Sequence, residues 1–296
     1  MRIVSLLPST TEILFAIGAG DAVVGVTFEC DFPAEARSRR IVSTTTLTEG
    51  LSPSEIDAEV KALVTAGEDL YRLDEGALRD IDPDVVVTQD LCAVCAIDVA
   101  NVDEALVHLG CHARVVTIDP MSLTDVLASI TELGRVTGNE TSAAALVDEL
   151  RERLAAVDSA TADRPRPRVA VIEWTDPLFC AGHWIPDLVE AAGACSVLGT
   201  AGQRSHPIQA QDVAAATPDI VVVAPCGYRL DGATELAEKL QATGSIPSHA
   251  QLWAVDADAM FVRPGPRVVD GVETLAAIAH PGLLPLDPNA ARRITP

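Results

Sequence analysis

Hydrophobic positions recur with helical spacing over residues 139–158, near the middle of the chain. Leu146, Leu150 and Leu154 follow one another every fourth residue, and the charged residues of the stretch fall mainly on the other faces. This pattern predicts one amphipathic helix of roughly 30 Å, since each helical residue adds about 1.5 Å. Asn139 is the predicted cap of its first turn.

Short hydrophobic runs alternate with helix-like segments on both sides of this helix. In each half a Pro-Asp pair precedes an apolar run, which is 85–87 in the first half and 220–223 in the second. Continuous apolar runs of this length are typical of strands buried in parallel sheets. The predicted strands are 2–7, 23–26, 41–43, 85–87, 115–118, 169–172, 220–223 and 253–255. The other predicted helices are 12–17, 54–66, 121–136, 186–192 and 267–279.

The alternation of strands and helices predicts an α/β protein with two Rossmann-like lobes. Each lobe has a mostly parallel sheet, and one long helix bridges the two lobes. The predicted boundaries are 1–138 for the first lobe, 139–160 for the bridging helix and 161–296 for the second lobe. A chain of 296 residues is long enough for two such lobes. A cleft between two lobes is where a small-molecule site is expected.

Charge and composition narrow the possible partners. The formal net charge is −22, which argues against nucleic acid and anionic membrane surfaces because both require clustered Lys and Arg. No apolar run is long enough to cross a membrane, so we expect no membrane insertion. Polar residues from Pro8 onward interrupt the apolar amino terminus early, and we see neither a secretory signal nor a lipobox. We therefore expect a cytoplasmic protein, or an extracytoplasmic one if the natural chain begins earlier than this sequence.

Some of the cysteines form a candidate metal site. A disulfide framework is not expected, because 7 cysteines are an odd number and too few for a chain of this length. Cys92 and Cys95 form a Cys-x-x-Cys motif after a predicted strand, where a low-pKa thiolate or half of a metal site is possible. Cys30 and Cys226 also follow predicted strands, so they are candidate further ligands for zinc or iron. The alternative is that Cys92 and Cys95 are small packing residues. Packing is also the prediction for Cys111, Cys180 and Cys195.

Acidic, aromatic and basic residues also follow the predicted strands, where ligands bind in parallel sheets. Glu29 and Glu173 are either ligand-facing carboxylates or solvated loop residues. His183, next to an aromatic residue, is either a ligand contact or a hydrogen-bonded structural histidine. Arg263 could present its guanidinium to an acidic group of a ligand or form a salt bridge in a loop. The remaining histidines, His108, His112, His206, His249 and His280, are predicted to be structural.

No catalytic motif is present in the sequence. A Gly-x-Ser-x-Gly nucleophile elbow, a P-loop and a Gly-x-Gly-x-x-Gly fingerprint are all absent. We therefore predict a protein that is not an enzyme. An enzyme acting on a metal-bound substrate is an alternative, but the sequence supplies no reaction for it.

Four segments resemble the substrate-binding proteins of cobalamin and ferric-siderophore ABC transporters: VSLLPSTTEILFAIGAGDAVVGVT, DPDVVV, LGRVTGNETSAAALVDELRERL and ATPDIVVVAPCG. The chain is most similar to a subgroup labelled cobalamin-binding, whose motifs match FECDFP, TQDLCAVCA, EWTDPLFCAGHWIPDLV and FVRPGPRVVDG. The resemblance spans nearly the whole chain. It implies two α/β lobes bridged by a single stiff helix, with ligand in the cleft and little motion between the lobes.

The resemblance also implies a function, which is non-catalytic binding of cobalamin, another corrinoid or a related metal chelate. Trp174 or Trp184 would stack on or cover the flat macrocycle, and His183 could ligate cobalt. The implied partners are the small-molecule ligand and either an ABC permease or a cytosolic acceptor protein. The alternative is a cytosolic metal-handling or redox protein that uses Cys92 and Cys95 with a further cysteine. The predicted ligand-binding residues are Pro8, Ser9, Thr10, Phe28, Glu29, Gln89, Asp90, Glu173, Trp174, His183, Trp184 and Arg263.

Overall fold

The structure is a computed structural model that describes residues 1–48, 50–66, 68, 70–73, 81–89 and 113–295. The chain divides into two compact units. The first unit comprises Met1–Pro120 with Leu127–Val147, and the second comprises Met121–Val126 with Asp148–Pro296. Both units are α/β with parallel strands, which confirms the predicted fold class. The predicted residue boundaries of the domains stay predictions.

A parallel sheet lies at the centre of the first unit. The described strands of this unit are β1 (Ile3–Ser5), β2 (Val23–Val26), β3 (Arg40–Ile41), β4 (Ser43–Thr45), β5 (Tyr71–Leu73), β6 (Val85–Thr88) and β7 (Arg114–Thr117). Five of these described strands form the sheet in the order β3-β2-β1-β6-β7, and every pairing in it is parallel. Strands β1 and β6 are buried throughout, as their continuous apolar sequences predicted.

The strand predicted at 41–43 is instead two short strands. β3 pairs with β2 at the edge of the main sheet, whereas β4 pairs with β5 in a separate antiparallel ladder. The chain changes sheet at Val42, whose side chain is buried in a hydrophobic cluster with Val4 and Val86. The backbone N–H of Val42 still donates to the oxygen of Val26, at 2.9 Å. The buried Val42 therefore separates the end of β3 from the start of β4.

Helices connect strands of the first unit and lead on to the second unit. Helix α1 begins immediately after β1, with a proline at its first position, where the missing N–H costs nothing. Helix α2 connects β4 to β5. The helices introduced here are α1 (Pro8–Ala16), α2 (Pro53–Ala66), α3 (Leu123–Thr137) and α4 (Glu140–Thr161).

The second unit is built on a mixed sheet. Its described strands are β8 (Arg168–Thr175), β9 (Leu178–Cys180), β10 (Cys195–Ser196), β11 (His206–Pro207), β12 (Ile220–Val223), β13 (Gln251–Val255) and β14 (Ala291–Ile294). The order is β11-β9-β8-β12-β13-β14, and β10 pairs with β8. Strands β8, β12 and β13 are parallel, and β9 and β14 are antiparallel to their neighbours. Its helices are α5 (Ile185–Ala191), α6 (Ala210–Ala215), α7 (Leu230–Ala242), α8 (Ala257–Met260) and α9 (Val268–Ala279).

The sequence predicts that 179–184 is a turn leading into a helix, and this prediction is right only for its last part. Strand β9 folds back on β8 as a hairpin, and Cys180 pairs with Ile172. β8 is longer than its apolar run, because it extends through Glu173 and Trp174 to Thr175. The hairpin turn lies at residues 176–177, and a second turn at 183–184 comes directly before α5.

Helix α4 is the helix predicted from the central hydrophobic spacing. It covers 22 residues, ending three residues later than predicted. Ala143, Val147, Leu150 and Val157 are its buried apolar residues, whereas two of the predicted leucines are only half-buried. Asn139 directly precedes the helix, and its side-chain Nδ2 donates to Ile17 O at 3.1 Å. Residues 140–147 of α4 belong to the first unit and the rest to the second.

Arg153 fixes the second half of α4 to α9 within the second unit. Its Nε lies 2.9 Å from Glu273 Oε1, and one terminal nitrogen lies 2.5 Å from Asp270 Oδ1 and 2.6 Å from Glu273 Oε2. The hydrogen bond with Glu273 raises the pKa of the arginine, and the second acid adds to this effect. We refer to these three side chains as the Arg153 clamp. Among the described helices, none is both long enough and apolar enough to span a membrane.

Candidate functional site

Three parallel strands of the first unit end side by side. Strand β1 lies between β2 and β6, so the residues that follow these strands meet at one edge of the sheet. We call this the first edge, and its described residues are 6–11, 27–31 and Gln89. The predicted ligand-binding residues on it are Pro8, Ser9, Thr10, Phe28, Glu29 and Gln89.

A network of hydroxyls and one thiol holds the first edge together. Thr11 Oγ1 lies 2.9 Å from Ser5 Oγ and 3.1 Å from Cys30 Sγ. Thr10 Oγ1 lies 2.7 Å from Ser5 Oγ, and Thr27 Oγ1 lies 3.1 Å from Cys30 Sγ. All five side chains are buried. These polar atoms therefore satisfy one another away from water.

Four of the predicted site residues on the first edge are buried, which argues against direct contact with a ligand or a metal. Ser9 and Thr10 are only 4% and 0% exposed, because α1 begins directly after β1 and turns them inward. Their side chains therefore do not offer a surface to a ligand. Cys30 is 1% exposed and interacts with two hydroxyls, which favours a structural cysteine over a metal ligand. Gln89 is buried as well.

An aromatic pair remains accessible on the first edge. Phe28 is 38% exposed, and its ring lies 6.0 Å from that of Tyr71. The hydroxyl of Tyr71 lies 3.4 Å from Glu29 Oε1. Phe28 and Glu29 thus place apolar surface next to a carboxylate, as the sequence predicted for a ligand site. The sequence did not single out Tyr71, because it lies on β5, far along the chain.

Three parallel strands of the second unit also end side by side. These are β8, β12 and β13, and the residues at their carboxyl ends are 173–175, 224–228 and 256–258. We call this the second edge. Two predicted residues, Glu173 and Trp174, occupy the end of β8, and the candidate metal ligand Cys226 follows β12.

An aromatic pair also lies on the second edge. The ring of Trp174 lies 6.0 Å from that of Tyr228, with their planes at 61°. The indole Nε1 donates to Asp176 O at 3.1 Å, which leaves the ring half-buried in a defined orientation. Burial raises the pKa of Tyr228, so this hydroxyl stays protonated at neutral pH. Tyr228 was missed, although its position just after the 220–223 run was a usable signal.

A loop of residues 199–205 packs against the turn that follows β9. The oxygen of Gln203 accepts from the N–H of His183 at 2.6 Å, and Gly202 N donates to His183 O at 3.0 Å. A Cβ on Gly182 would overlap the backbone atoms of Gln203 and Ser205, so glycine is required there. The hydroxyl of Ser205 donates to Glu173 Oε1 at 3.0 Å. The 199–205 loop therefore connects His183 to Glu173.

His183 has an unusual backbone and an unusual ring environment. Its φ is +53°, a left-handed conformation that few residues other than glycine adopt. Its Nε2 is buried and has no hydrogen-bond partner among the described residues. Burial lowers the pKa of His183, and the charge of Arg204 lowers it further. The ring is therefore neutral at neutral pH, the form in which imidazole binds metals.

Two predicted site residues of the second unit have structural roles. Trp184 is 7% exposed, and its indole N–H donates to Phe261 O at 2.7 Å. It was expected to cover a macrocycle, but a ring fixed in the core offers no face for stacking. Arg263 forms an ion pair with Asp258 at 2.8 Å, which is the salt-bridge alternative rather than a free guanidinium.

Asp256 completes the second edge. Its carboxylate follows β13 and accepts from Ala259 N at 3.2 Å, which caps the short helix α8. Burial raises the pKa of Asp256, and the hydrogen bond from Ala259 only partly opposes this effect. The sequence did not identify Asp256 as distinctive, because its environment depends on surrounding tertiary packing.

The predicted cysteine metal site is only partly within the described residues. Cys92, Cys95 and Asp90 lie outside them, so their assignments stay predictions. Among the described residues, no group of three His, Cys, Asp or Glu side chains could hold a metal ion. Cys180 is buried, and burial raises the pKa of its thiol, in agreement with a packing role.

The sequence and the fold have counterparts in known proteins. The family model described as "Periplasmic binding protein" matches residues 3–255. The chain therefore belongs to the periplasmic binding protein family.

Individual relatives are similar over most of the chain. A cobalamin-binding protein of Halobacterium salinarum is 27% identical over 288 residues, which cover 94% of this chain and 69% of the relative. An uncharacterised ABC transporter substrate-binding lipoprotein of Bacillus subtilis is 26% identical over 291 residues, covering 95% of this chain and 80% of the relative.

Solved structures share the fold at lower identity. A periplasmic haem-binding protein of Pseudomonas aeruginosa superposes with a TM-score of 0.72 at 22% identity, covering 100% of this chain and 98% of the other. The periplasmic vitamin B12 binding protein of Vibrio cholerae gives a TM-score of 0.66 at 21% identity, covering 95% and 98%. At this level of identity, the similarity establishes the fold.

Proposed function

We propose that the protein binds a cobalamin-like corrinoid, or a related metal chelate, without transforming it. The observation that carries this proposal is membership of the periplasmic binding protein family together with a relative named as cobalamin-binding. The first and second edges support the proposal further, because Phe28 and the Trp174–Tyr228 pair offer aromatic surface suited to a flat macrocycle. Haem and ferric siderophores are the related chelates to compare.

The proposed role is that of the substrate-binding component of an ABC transport system. The family and the Bacillus subtilis relative support an ABC permease as the partner. No permease contact is assigned to particular residues. The cytoplasmic location stays a prediction, and fractionation of the native host followed by immunodetection would test it.

Titration tests the binding proposal. Purified protein is titrated with hydroxocobalamin, haem and a ferric hydroxamate, while the ligand spectrum and the tryptophan fluorescence are followed. We expect a dissociation constant below tens of micromolar for at least one chelate. The recovered ligand should be chemically unchanged, as binding without catalysis requires. If none of the three chelates binds, the proposal is wrong.

Single tryptophan variants locate the ligand. Trp174→Phe is expected to remove most of the quenching, because Trp174 lies on the second edge beside Tyr228. Trp253→Phe is the matched control, because Trp253 lies in the middle of strand β13, before its carboxyl end, and is expected to contribute little to the ligand-dependent signal. Equal loss of quenching in both variants would contradict the assignment of Trp174.

The metal-handling alternative has less support, because both sequence relatives are named as binding proteins. This alternative requires a metal ion that is held by Cys92 and Cys95. Cys226 and Cys30 are the candidates for a further metal ligand. Elemental analysis of protein purified without chelator tests it. Stoichiometric zinc or iron that is lost in the Cys92→Ser, Cys95→Ser double variant would favour this alternative, with Cys195→Ser as the control.

A further inference from the structure

The 199–205 loop holds one basic side chain between its contact with His183 and its contact with Glu173 of the second edge. Arg204 lies between Gln203, which accepts from the N–H of His183, and Ser205, which donates to Glu173. The charge of Arg204 also reaches the His183 ring, whose pKa it helps to lower. Arg204 was not among the residues predicted from sequence.

Arg204 has no described partner. Its side chain is exposed and forms neither a hydrogen bond nor an ion pair within the part of the chain that the structure describes. Ser205 brings Glu173 to the same loop, yet Arg204 does not pair with it. Two other arginines of this unit are paired, since Arg153 binds Asp270 and Glu273 and Arg263 binds Asp258. This contrast occurs in a chain with 43 acidic residues and only 21 Lys and Arg.

The backbone beneath Arg204 is closely packed. Gly182 contacts the loop so closely that a side chain there would overlap it, and a Cβ on Gly199, at φ +77°, would overlap Ala181 O. Two backbone hydrogen bonds with His183 also hold the loop. The position from which Arg204 extends is therefore fixed before any ligand arrives, which lowers the entropic cost of binding.

We propose that Arg204 binds an anionic oxygen group of the ligand and so selects chelates that carry one. This inference rests on the proposed function and deepens it, because it names the chemical group that the second edge recognises. A guanidinium binds phosphate and carboxylate oxygens through paired N–H donors. In cobalamin the group would be the phosphodiester of the nucleotide loop, and in haem it would be a propionate.

Paired ligands test the proposal directly. Cobinamide is a corrinoid that lacks the phosphate-linked nucleotide, and haem dimethyl ester lacks free carboxylates. Dissociation constants are measured by fluorescence titration for cobalamin against cobinamide and for haem against its diester. The unmodified protein should prefer the anionic member of at least one pair. The pair that responds identifies phosphate or carboxylate as the group that is bound.

Arg204→Ala should weaken binding of the anionic member roughly 10- to 100-fold and leave its neutral counterpart within about twofold. Arg204→Lys should give an intermediate dissociation constant, because the lysine ammonium keeps the positive charge but lacks the paired N–H donors of the guanidinium. Arg164→Ala is the matched control. Arg164 is likewise exposed without a described side-chain partner, but it precedes β8 and so lies towards the opposite end of that strand.

The outcomes separate this inference from the proposed function. If the unmodified protein binds none of the four compounds, both the proposed ligand class and the role of Arg204 are wrong. If it binds them but Arg204→Ala weakens both members of a pair equally, or neither, then only the role of Arg204 is wrong. Unchanged thermal unfolding of the variant shows that any loss of affinity is local.

Discussion

The two edges are built from the same arrangement of parallel strands but from different chemistry. At the first edge, five buried hydroxyl and thiol side chains bind one another, from Ser5 to Cys30. At the second edge, aromatic rings and ionisable groups predominate, including Trp174, Tyr228 and Asp256. The same sheet position thus carries a buried polar network beside the accessible Phe28 in one unit, and half-buried aromatic and ionisable groups in the other.

The difference teaches where ligand discrimination is expected. The polar atoms of a buried neutral network are already hydrogen-bonded to one another, which makes the network rigid. Such a network can support a binding surface, but few of its groups are left to distinguish one ligand from another. Charged and aromatic side chains can distinguish ligands by their charge and their shape. We therefore expect substitutions at the first edge to change stability more than selectivity, and substitutions of exposed groups at the second edge to do the reverse.

The largest effect is expected for Gly182→Ala, which replaces the glycine beneath the 199–205 loop. The new Cβ would overlap backbone atoms that cannot move without breaking the contacts of His183. We expect a loss of roughly 3 kcal/mol in the free energy of unfolding, measured by urea denaturation.

Gly244→Ala provides the control for this variant. Gly244 has φ +72°, but no atom would contact its Cβ, so only the left-handed backbone is penalised, by about 1 kcal/mol. Equal losses in the two variants would show that close packing of the loop does not matter.

At the first edge, Thr11→Val should destabilise the protein by about 1–2 kcal/mol. The substitution keeps the shape of the side chain but removes the hydroxyl that contacts Ser5 and Cys30, leaving buried polar atoms without a partner. Ligand selectivity should not change. Thr65→Val is the control, because its hydroxyl binds Lys61 O on the exposed surface of α2. If Thr11→Val changes ligand selectivity while Thr65→Val does not, the proposed difference between the two edges is wrong.

A smaller, pH-dependent effect is expected for Asp256→Asn. Because burial raises the folded-state pKa of Asp256, its charged form costs stability as pH rises above the unfolded-state value. Asparagine keeps the acceptor for Ala259 N and removes the charge. The variant should be slightly more stable at pH 7 and indistinguishable near pH 3, by urea denaturation at both values. Lower stability at pH 7 would contradict this reasoning.

The smallest expected effect is the pH dependence that His183 confers. Its folded-state pKa lies below the unfolded value of about 6.5, so the unfolded chain takes up the proton first. Stability should therefore fall as pH drops below about 6.5 and level off below the folded-state pKa. His183→Asn should flatten this part of the profile, since asparagine tolerates a left-handed backbone. His249→Gln, an exposed position, should leave the profile unchanged.

Local patterns predicted much of the fold but little of the site. The apolar runs after the two Pro-Asp pairs became β6 and β12, since burial on both faces of a sheet leaves a continuous hydrophobic signature. The hairpin strand β9 was missed because its partner β8 extends through polar and aromatic residues that do not alternate. Short strands at sheet edges carry too few residues for a periodic signal.

The sequence indicates where along a strand a candidate site residue lies better than it indicates the direction of the side chain. Residues after parallel strands were correctly expected at the edges, but whether each side chain faces inward depends on tertiary packing. Trp184 could not be separated from Trp174 by sequence, yet one is in the core and the other is half-buried on the second edge. Arg204 carried no local signal, because its importance arises from what Gln203 and Ser205 bind.

The Arg153 clamp has a consequence for local opening of helix α4. Two acids of α9 bind one arginine midway along the second half of the helix, so fraying from Thr161 must break all three contacts before it can proceed further. Amide protons on the amino-terminal side of Arg153 should thus exchange with solvent far more slowly than those in the last turn. Because Arg153 is partly exposed, raising the salt concentration should weaken the clamp and move the boundary of slow exchange towards the middle of the helix.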